Sequence, residues 1–110
     1  MHIITEKHLK EAAETYKDAA DEIKTWKAIV KGMLWRNIPE VQATFPDADP
    51  VKGYVVFDFR KNRYRLITII PYVKTIGGRQ TQGRVFIRSF LTHKEYDNFN
   101  NWGKKYGRKK

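Results

Sequence analysis

In the first half of the chain, apolar residues recur with the period of an amphipathic helix. Behind Thr5, a predicted N-cap, they fall three or four positions apart and so share one helix face, at Leu9, Ala12, Ala13 and Tyr16. A second stripe begins near Ala19 and ends near Gly32, with apolar side chains at Ile23, Trp26, Val30 and Met33. We expect these two helices to form an antiparallel pair, preceded by a short extended segment over residues 2–4.

A third, shorter helix is predicted from Asn37 to about Phe45. Pro39 suits the first turn of a helix, and Pro46 cannot continue one. The segment that follows, residues 46–50, has two prolines and two aspartates among its five residues, which is typical of a loop.

Beyond this loop the pattern changes from helices to strands. Three apolar segments fit strands, at residues 54–59, 64–70 and 84–91. In the first of them Val55, Phe57 and Phe59 share one face. The second is apolar on both faces, which predicts a central strand, and the short basic link between the two predicts an antiparallel hairpin. The polar segment over residues 73–83 is expected to be a loop.

A short helix is predicted after the last strand, from His93 to about Trp102. Thr92 precedes it as an N-cap, and Glu95 completes a capping box three residues later. Helices first and strands afterwards indicate an α+β fold, with N-terminal helices packed on a small antiparallel sheet and a short C-terminal helix. We expect a single domain over residues 1–102 and a basic, mobile tail over 103–110.

Composition narrows the class of protein. The chain has 110 residues, of which 41% are hydrophobic and none is cysteine. This content is too apolar for a disordered chain, and the lack of cysteine excludes a disulfide scaffold, a thiolate metal site and a cysteine nucleophile. The N-terminus has no long apolar region of a signal peptide, and no segment is long enough for a membrane span. These features predict a soluble cytoplasmic protein without a membrane partner.

The charge is distributed unevenly along the chain. The net charge is +10, yet residues 1–51 carry 7 basic and 9 acidic side chains, whereas residues 52–110 carry 15 basic and 3 acidic ones. A fold that concentrates positive charge in one part predicts a surface for a polyanion, most often a nucleic acid. A merely soluble surface is the alternative that composition leaves open.

Two arginines interrupt apolar strands. Arg65 and Arg88 each have apolar neighbours in sequence, and burying an unpartnered guanidinium is costly. Because few acidic residues are near them in sequence, a cleft that binds phosphate is the favoured explanation. A guanidinium can hold a phosphate through two parallel hydrogen bonds.

Several segments together resemble the HigB-type toxins of bacterial toxin–antitoxin systems, which are small ribonucleases of the RelE-like superfamily. The segments lie in the family's order, at Met1-His2-Ile3-Ile4, Trp35, residues 43–49, Asn62-Arg63-Tyr64-Arg65-Leu66-Ile67, Phe86-Ile87-Arg88 and Thr92-His93-Lys94-Glu95-Tyr96-Asp97. The chain departs from the pattern at Arg60-Lys61-Asn62, where relatives often have glycines, and in an extended loop over residues 75–83.

The resemblance implies a RelE-like fold and an endoribonuclease that cleaves mRNA on the ribosome. It also implies a helix-turn-helix antitoxin of the HigA type, which would cover the basic surface and carry the complex to operator DNA. Cleavage in this superfamily uses attack by the ribose 2′-OH, so the site needs a base, an acid and fixed cations. A non-catalytic RNA- or ribosome-binding module, and an inactive member kept as a regulatory partner, are the alternatives.

The resemblance also assigns roles to residues. His93 is the candidate proton shuttle, acting as acid or base, although a histidine at such a junction is commonly structural. Tyr96, three residues on, would stack on a base or hold the phosphate, unless it belongs to the core. Arg65 and Arg88 are assigned to the scissile phosphate.

The hairpin tip supplies the predicted RNA-binding residues. These are Arg60, Lys61, Asn62, Arg63 and, beyond the third strand, Lys94, and a solvated turn is the alternative for the first four. No cofactor is expected. A metal site is not expected either, because His2 and His8 are far from His93 in sequence and the other candidate ligands have basic surroundings.

Overall fold

A computed structural model describes residues 1–97 of the chain. Its α-helices are α1 (Lys7–Thr15), α2 (Ala20–Lys31), α3 (Ile38–Thr44) and a short one that closes the described part, α4 (His93–Asp97). One turn of 3-10 helix, Lys17–Ala19, lies between α1 and α2. The predicted continuation of α4 to Trp102 and the predicted tail over residues 103–110 lie outside the described residues. Within them, no helix has the length and apolar character needed to cross a membrane.

Five strands form the main sheet. They are β1 (His2–Ile4), β2 (Asp49–Val51), β3 (Tyr54–Phe59), β4 (Tyr64–Ile69) and β7 (Arg84–Thr92), in the order β1-β7-β4-β3-β2. The predicted α+β class is confirmed, and β4 occupies the central position that its apolar character predicted. The sheet is mixed rather than wholly antiparallel, because β1 pairs in parallel with β7. A separate hairpin joins β5 (Thr75–Ile76) to β6 (Arg79–Gln80).

One face of the sheet packs against the helices and forms the main core. Phe57, Phe59 and Leu66 of the sheet are at most 2% exposed, and they meet apolar residues of α1 and α2. The ring of Trp26 on α2 lies edge-on to Phe57, with 5.3 Å between the ring centroids. The alternation predicted for β3 places these residues on this face. This core holds the sheet against the helices, so the positions of the loops at the ends of its strands are fixed as well.

The other face of the sheet, called the open face below, is not covered by α1 or α2. Tyr54, Val56, Ile67 and Leu91 form a small apolar cluster there, against which Tyr96 of α4 packs. Asp58 and Arg65 are on this face too, because their neighbours in sequence point into the main core. The open face therefore combines an apolar patch with charged side chains.

Three local predictions need correction. The last two residues of the predicted 46–50 loop belong to β2, and residues within the predicted polar loop form the β5–β6 hairpin around Gly77 and Gly78. Thr5 has a positive φ of 68° and α1 begins after Glu6, so Thr5 is not the N-cap. These short elements depend on pairing partners that a local pattern does not contain.

Candidate active site

The tip of the β3–β4 hairpin has an unusual backbone. Arg60, Lys61 and Asn62 have φ angles of 52°, 52° and 77°, in the left-handed region that glycine adopts most easily. The turn is closed by the Arg63 N–H, which donates to the Arg60 carbonyl at 3.1 Å. Left-handed residues other than glycine are strained, and such strain is concentrated at functional sites. The chain thus keeps cationic side chains at positions where glycine would fit more easily.

Acidic residues of the helical layer hold the base of this tip. The Asp18 carboxylate contacts Arg63 Nη1 at 3.0 Å and Arg60 Nε at 3.9 Å, and it accepts a hydrogen bond from the Tyr64 hydroxyl at 2.8 Å. Glu22 accepts from the backbone N–H of Arg60 at 2.9 Å. We call Asp18 with its three partners the Asp18 clamp. It pairs two of the predicted RNA-binding arginines within the protein itself.

The Asp18 clamp predicts a dependence of stability on pH. The hydrogen bond from Tyr64, together with Arg63 and Arg60, lowers the pKa of Asp18. A carboxyl whose pKa is lowered by folding stabilises the protein above its unfolded value of about 3.9, and this contribution disappears as the pH falls through the lower folded value. We expect Asp18→Asn to lower the Tm near neutral pH, with the difference from the parent vanishing in acid.

The control for this experiment is Asp21→Asn, three residues further on in α2, since Asp21 is exposed and makes no ion pair with a described residue. Thermal melts of the three proteins across the acid range measure the effect. A difference between Asp18→Asn and the parent that persists unchanged to low pH would show that the clamp does not act through its charge.

An open cleft of about 1070 Å³ lies between this tip and the start of α4. It is lined by Glu22, Arg60, Lys61, Asn62, Arg63, Thr92, His93 and Lys94. The five predicted RNA-binding residues and the predicted proton shuttle therefore come together. About 30 residues of chain separate the hairpin tip from His93 and Lys94. Within residues 1–97, Lys61 and Lys94 have no ion-pair partner, so their charges face the cleft uncompensated.

The start of α4 is fixed by its cap. The Thr92 hydroxyl accepts from the Glu95 N–H at 3.1 Å, and Glu95 accepts from the Thr92 N–H at 2.9 Å, which confirms the predicted capping box. The backbone N–H of His93 donates to the Arg63 carbonyl at 2.8 Å and ties α4 to the hairpin tip. Backbone contacts thus hold His93 in place and leave its side chain free for other partners.

The His93 imidazole lies at the cleft with about half of its side chain exposed. Its Nε2 is 3.0 Å from Oδ2 of Asp97, one helical turn further on. A carboxylate that holds one ring nitrogen orients the imidazole and selects which nitrogen carries the proton. The arrangement offers an accessible imidazole that can take up or release a proton, with Asp97 as its partner. Asp97 is not among the site residues predicted from the sequence.

Arg65 lies beside the cleft on the open face, and most of its side chain is buried. Its Nε is 3.2 Å from Oδ1 of Asp58 on β3, and the side chains are 14% and 22% exposed. Its Nη1 donates to the Asn62 carbonyl at 3.1 Å, and its guanidinium carbon lies 5.2 Å from the ring centroid of Tyr96. Few acidic residues are near Arg65 in sequence, but one of them pairs with it in the fold. Asp58 is its direct cross-strand neighbour.

Burial shapes the protonation of the groups around Arg65. Burial raises the pKa of Asp58, Arg65 opposes the rise, and Asp47 and Asp49 add to it. Burial also raises the pKa of the Tyr96 phenol, with Asp49 adding to the rise. Tyr96 is accordingly a neutral hydroxyl that can donate a hydrogen bond. It is half-buried and packs on the apolar cluster of the open face, so it has a structural contact as well as a functional position.

Arg88 occupies an irregularity in β7. Ile67 pairs with Ser89 while Thr68 pairs with Ile87, so Arg88 is the extra residue of a β-bulge. At a bulge two residues oppose one on the partner strand, here Arg88 and Ser89 opposite Ile67 of the open face, so Arg88 is directed to that face, as Arg65 is. The sequence could not settle this orientation. Bulges commonly re-aim a side chain beside an active site.

The described residues contain no group of three or more potential ligands that could hold a metal ion. The site residues predicted from the sequence form two adjoining sets. One lines the cleft at the hairpin tip, and the other, Arg65, Arg88 and Tyr96, lies on the open face. His93 is next to both, since it lines the cleft and begins the short helix that carries Tyr96.

Comparison with known proteins gives a consistent result. Residues 19–99 match the family described as HigB_toxin, RelE-like toxic component of a toxin-antitoxin system. The chain is 33% identical over 103 residues to the mRNA interferase toxin HigB of Escherichia coli (strain K12), a match that covers 90% of each chain. The same identity and coverage relate it to proteins named mRNA interferase HigB in Escherichia coli O157:H7 and Shigella flexneri.

Proposed function

The chain belongs to the HigB family of RelE-like toxins of toxin–antitoxin systems, and from this premise we propose that it is a metal-independent endoribonuclease that cleaves mRNA on the ribosome. The observation that carries the proposal is the cleft, where His93 meets the cationic hairpin tip. A proton-exchanging group beside a strip of cations is what cleavage at a phosphodiester requires. The relatives named mRNA interferase support mRNA as the substrate.

The proposed reaction is an internal transfer at phosphorus. The ribose 2′-oxygen loses its proton and bonds to the adjacent phosphorus, and the bond from phosphorus to the 5′-oxygen breaks. The leaving oxygen takes up a proton, so the products are a 2′,3′-cyclic phosphate and a 5′-hydroxyl. His93 moves a proton in this exchange, with Asp97 orienting its ring. Its half-exposed position at the cleft allows an RNA strand to reach it.

Arg65 and Arg88 are proposed to stabilise the additional negative charge of the transition state. Arg65 is held by Asp58 and by the Asn62 carbonyl, so its guanidinium is fixed before RNA binds. A preorganised cation loses no reorganisation energy at the moment of reaction. Tyr96 supports Arg65 through its ring and offers a hydroxyl to the phosphate. Lys61 and Lys94 hold flanking phosphates, with Arg60, Asn62 and Arg63 beside them.

Membership in a toxin–antitoxin family implies an antitoxin partner. We propose that this partner is a helix-turn-helix protein of the HigA type, which covers the basic surface and carries the complex to operator DNA. The toxin itself would then contact DNA only through the antitoxin. Its place of action is the cytoplasm, where mRNA is translated.

The proposed function is tested by induced expression of the chain with and without a co-expressed antitoxin, followed by genome-wide mapping of mRNA ends. We expect new 5′-hydroxyl ends within coding sequences, absent when the antitoxin is present. Purified protein incubated with free mRNA and with ribosome-bound mRNA separates ribosome dependence from cleavage itself. Tight RNA binding with no new ends under either condition would favour the non-catalytic module instead.

The cationic tip predicts a salt dependence that can be altered without unfolding the protein. Lys61 has a φ of 52°, so Lys61→Gly removes a charge at a position where glycine relieves strain. Combined with Lys94→Gln, it should weaken RNA binding and reduce the slope of log affinity against log salt by about 1.4, at about 0.7 for each lost phosphate contact. Fluorescence anisotropy with a single-stranded RNA over a range of salt concentrations measures this slope.

The control is Lys10→Gln, an exposed lysine on α1 that lies outside the cleft. It should leave the slope unchanged. An unaltered slope in the Lys61→Gly, Lys94→Gln protein would exclude both lysines from phosphate binding. Arg63 is a poorer choice for this test, because the Asp18 clamp already pairs its guanidinium.

A further inference from the structure

A stripe along β7 on the open face is only partly used by the chemistry above. Val85 and Ile87 point into the main core, at 0% and 3% exposure, so the residues beside them face the other way. Those residues are Arg84, Phe86 and Arg88, with both arginines exposed and the phenylalanine half-buried. Cation, aromatic ring and cation thus alternate along one face of one strand.

Packing within the described residues does not account for Phe86. Its register partners are Ile4 of β1 and Ile69 of β4, so it sits inside the sheet and not at an edge. Among the described residues it joins neither the main core nor the apolar cluster of the open face. A large aromatic side chain left half-exposed between two strands is typical of a surface on which nucleic-acid bases stack.

Basic residues predominate in the sequence around the stripe, and Asp58 on the open face is paired with Arg65. From Phe59 to Lys94 the sequence has nine basic residues and no acidic one. His2, exposed on β1, is paired in register with Arg84 and continues the polar surface. Arg84 and Arg88 are four residues apart on one strand, a distance of about 13 Å along it. The alternation of cations with an aromatic ring suits a strand that carries both phosphates and exposed bases.

We propose that Arg84, Phe86 and Arg88 form a binding subsite for single-stranded RNA. The Phe86 ring stacks on one base, and the two guanidinium groups hold phosphates on either side of it. The proposal rests on the proposed function and extends it, since the subsite continues the RNA path from His93 back along β7. The strand must be single, because the bases of a duplex are stacked on one another and have no free face to offer.

The test measures binding of fluorescent oligoribonucleotides of about 4 and about 8 nucleotides by anisotropy, in the His93→Gln background so that no cleavage occurs. Phe86→Leu keeps an apolar side chain but removes the ring, whereas Phe86→Tyr keeps the ring. We expect Phe86→Leu to weaken binding of the longer RNA by about 5- to 50-fold and Phe86→Tyr to bind nearly as the parent. Arg84→Gln should lower the salt slope by about 0.7.

Ile76→Ala provides the control, since Ile76 is 65% exposed on the β5–β6 hairpin and lies outside the stripe. Equal weakening by the leucine and tyrosine variants, or weakening of antitoxin binding without any change in RNA binding, would overturn the subsite. If neither variant changes affinity while the protein with His93 intact cleaves mRNA, the subsite is wrong and the proposed function stands. A protein that neither binds nor cleaves RNA overturns both.

Discussion

The His93→Gln protein is expected to lose mRNA cleavage by about 100- to 10,000-fold while keeping its fold, because positioned proton transfer contributes a factor of this size. The backbone of His93, and not its ring, ties α4 to the hairpin tip through the Arg63 carbonyl. Glutamine retains much of the size and can still hydrogen-bond to Asp97. It cannot carry the proton. Single-turnover cleavage of ribosome-bound mRNA, with thermal melting alongside, measures both properties.

His8→Gln is the matched control, because it makes the same chemical change on α1, outside the cleft. It should cleave at the parental rate. A His93→Gln protein that melts far below the parent would identify His93 as a structural residue. If the variant folds normally and cleaves at the parental rate, another group at the site moves the proton, and Tyr96 and Lys61 are the candidates.

Replacing Arg65 by alanine should lower cleavage by about 100-fold or more and should also reduce stability. The loss of rate follows from the missing transition-state cation. The loss of stability follows because Asp58, 22% exposed, would be left without its partner, at a cost of about 1 to 3 kcal/mol. Arg65→Lys should not restore the rate, since the planar fork that contacts Asp58 and the Asn62 carbonyl is lost.

A double variant separates the two effects. In Arg65→Ala, Asp58→Asn the unpaired charge is removed, so we expect the Tm to recover much of the loss while cleavage stays low. Denaturation curves and single-turnover rates of the single and double variants complete the cycle. If cleavage recovers together with the Tm, Arg65 only supports the fold, and the transition-state charge is left to Arg88.

Local patterns predicted the elements whose cause is local. The alternation of Val55, Phe57 and Phe59 gave the face of β3, and Thr92 with Glu95 gave the start of α4, since both signals lie within a few residues. The partner strand of β1 could not be predicted in this way, because Ile3 pairs with Val85, which is far from it in sequence. The short strands β2 and β5 likewise depend on their partners.

The candidate site divides along the same line. The types of residue that it needs could be chosen from the sequence, and the cleft does bring His93 to the hairpin tip. The acidic residues that pair with the arginines of the site could not be predicted from the sequence. Asp18 is more than 40 residues from Arg63, and Asp58 lies opposite Arg65 only once the hairpin register is set. Registers and ion pairs between distant segments are properties of the folded chain.

The parallel pairing of β1 with β7 joins the first strand to be synthesised with the last. Ile3 is synthesised long before its partner Val85. At about 5 to 20 residues per second, the interval between the two lasts roughly 4 to 16 s. The helical pair can form meanwhile from contacts that are close in sequence, whereas β1 remains an unpaired strand edge. His93 and Lys94 follow β7 and are made later still. A nascent chain therefore has no assembled cleft while most of it is being translated, and any activity of the cleft can begin only after residues 93 and 94 have been made.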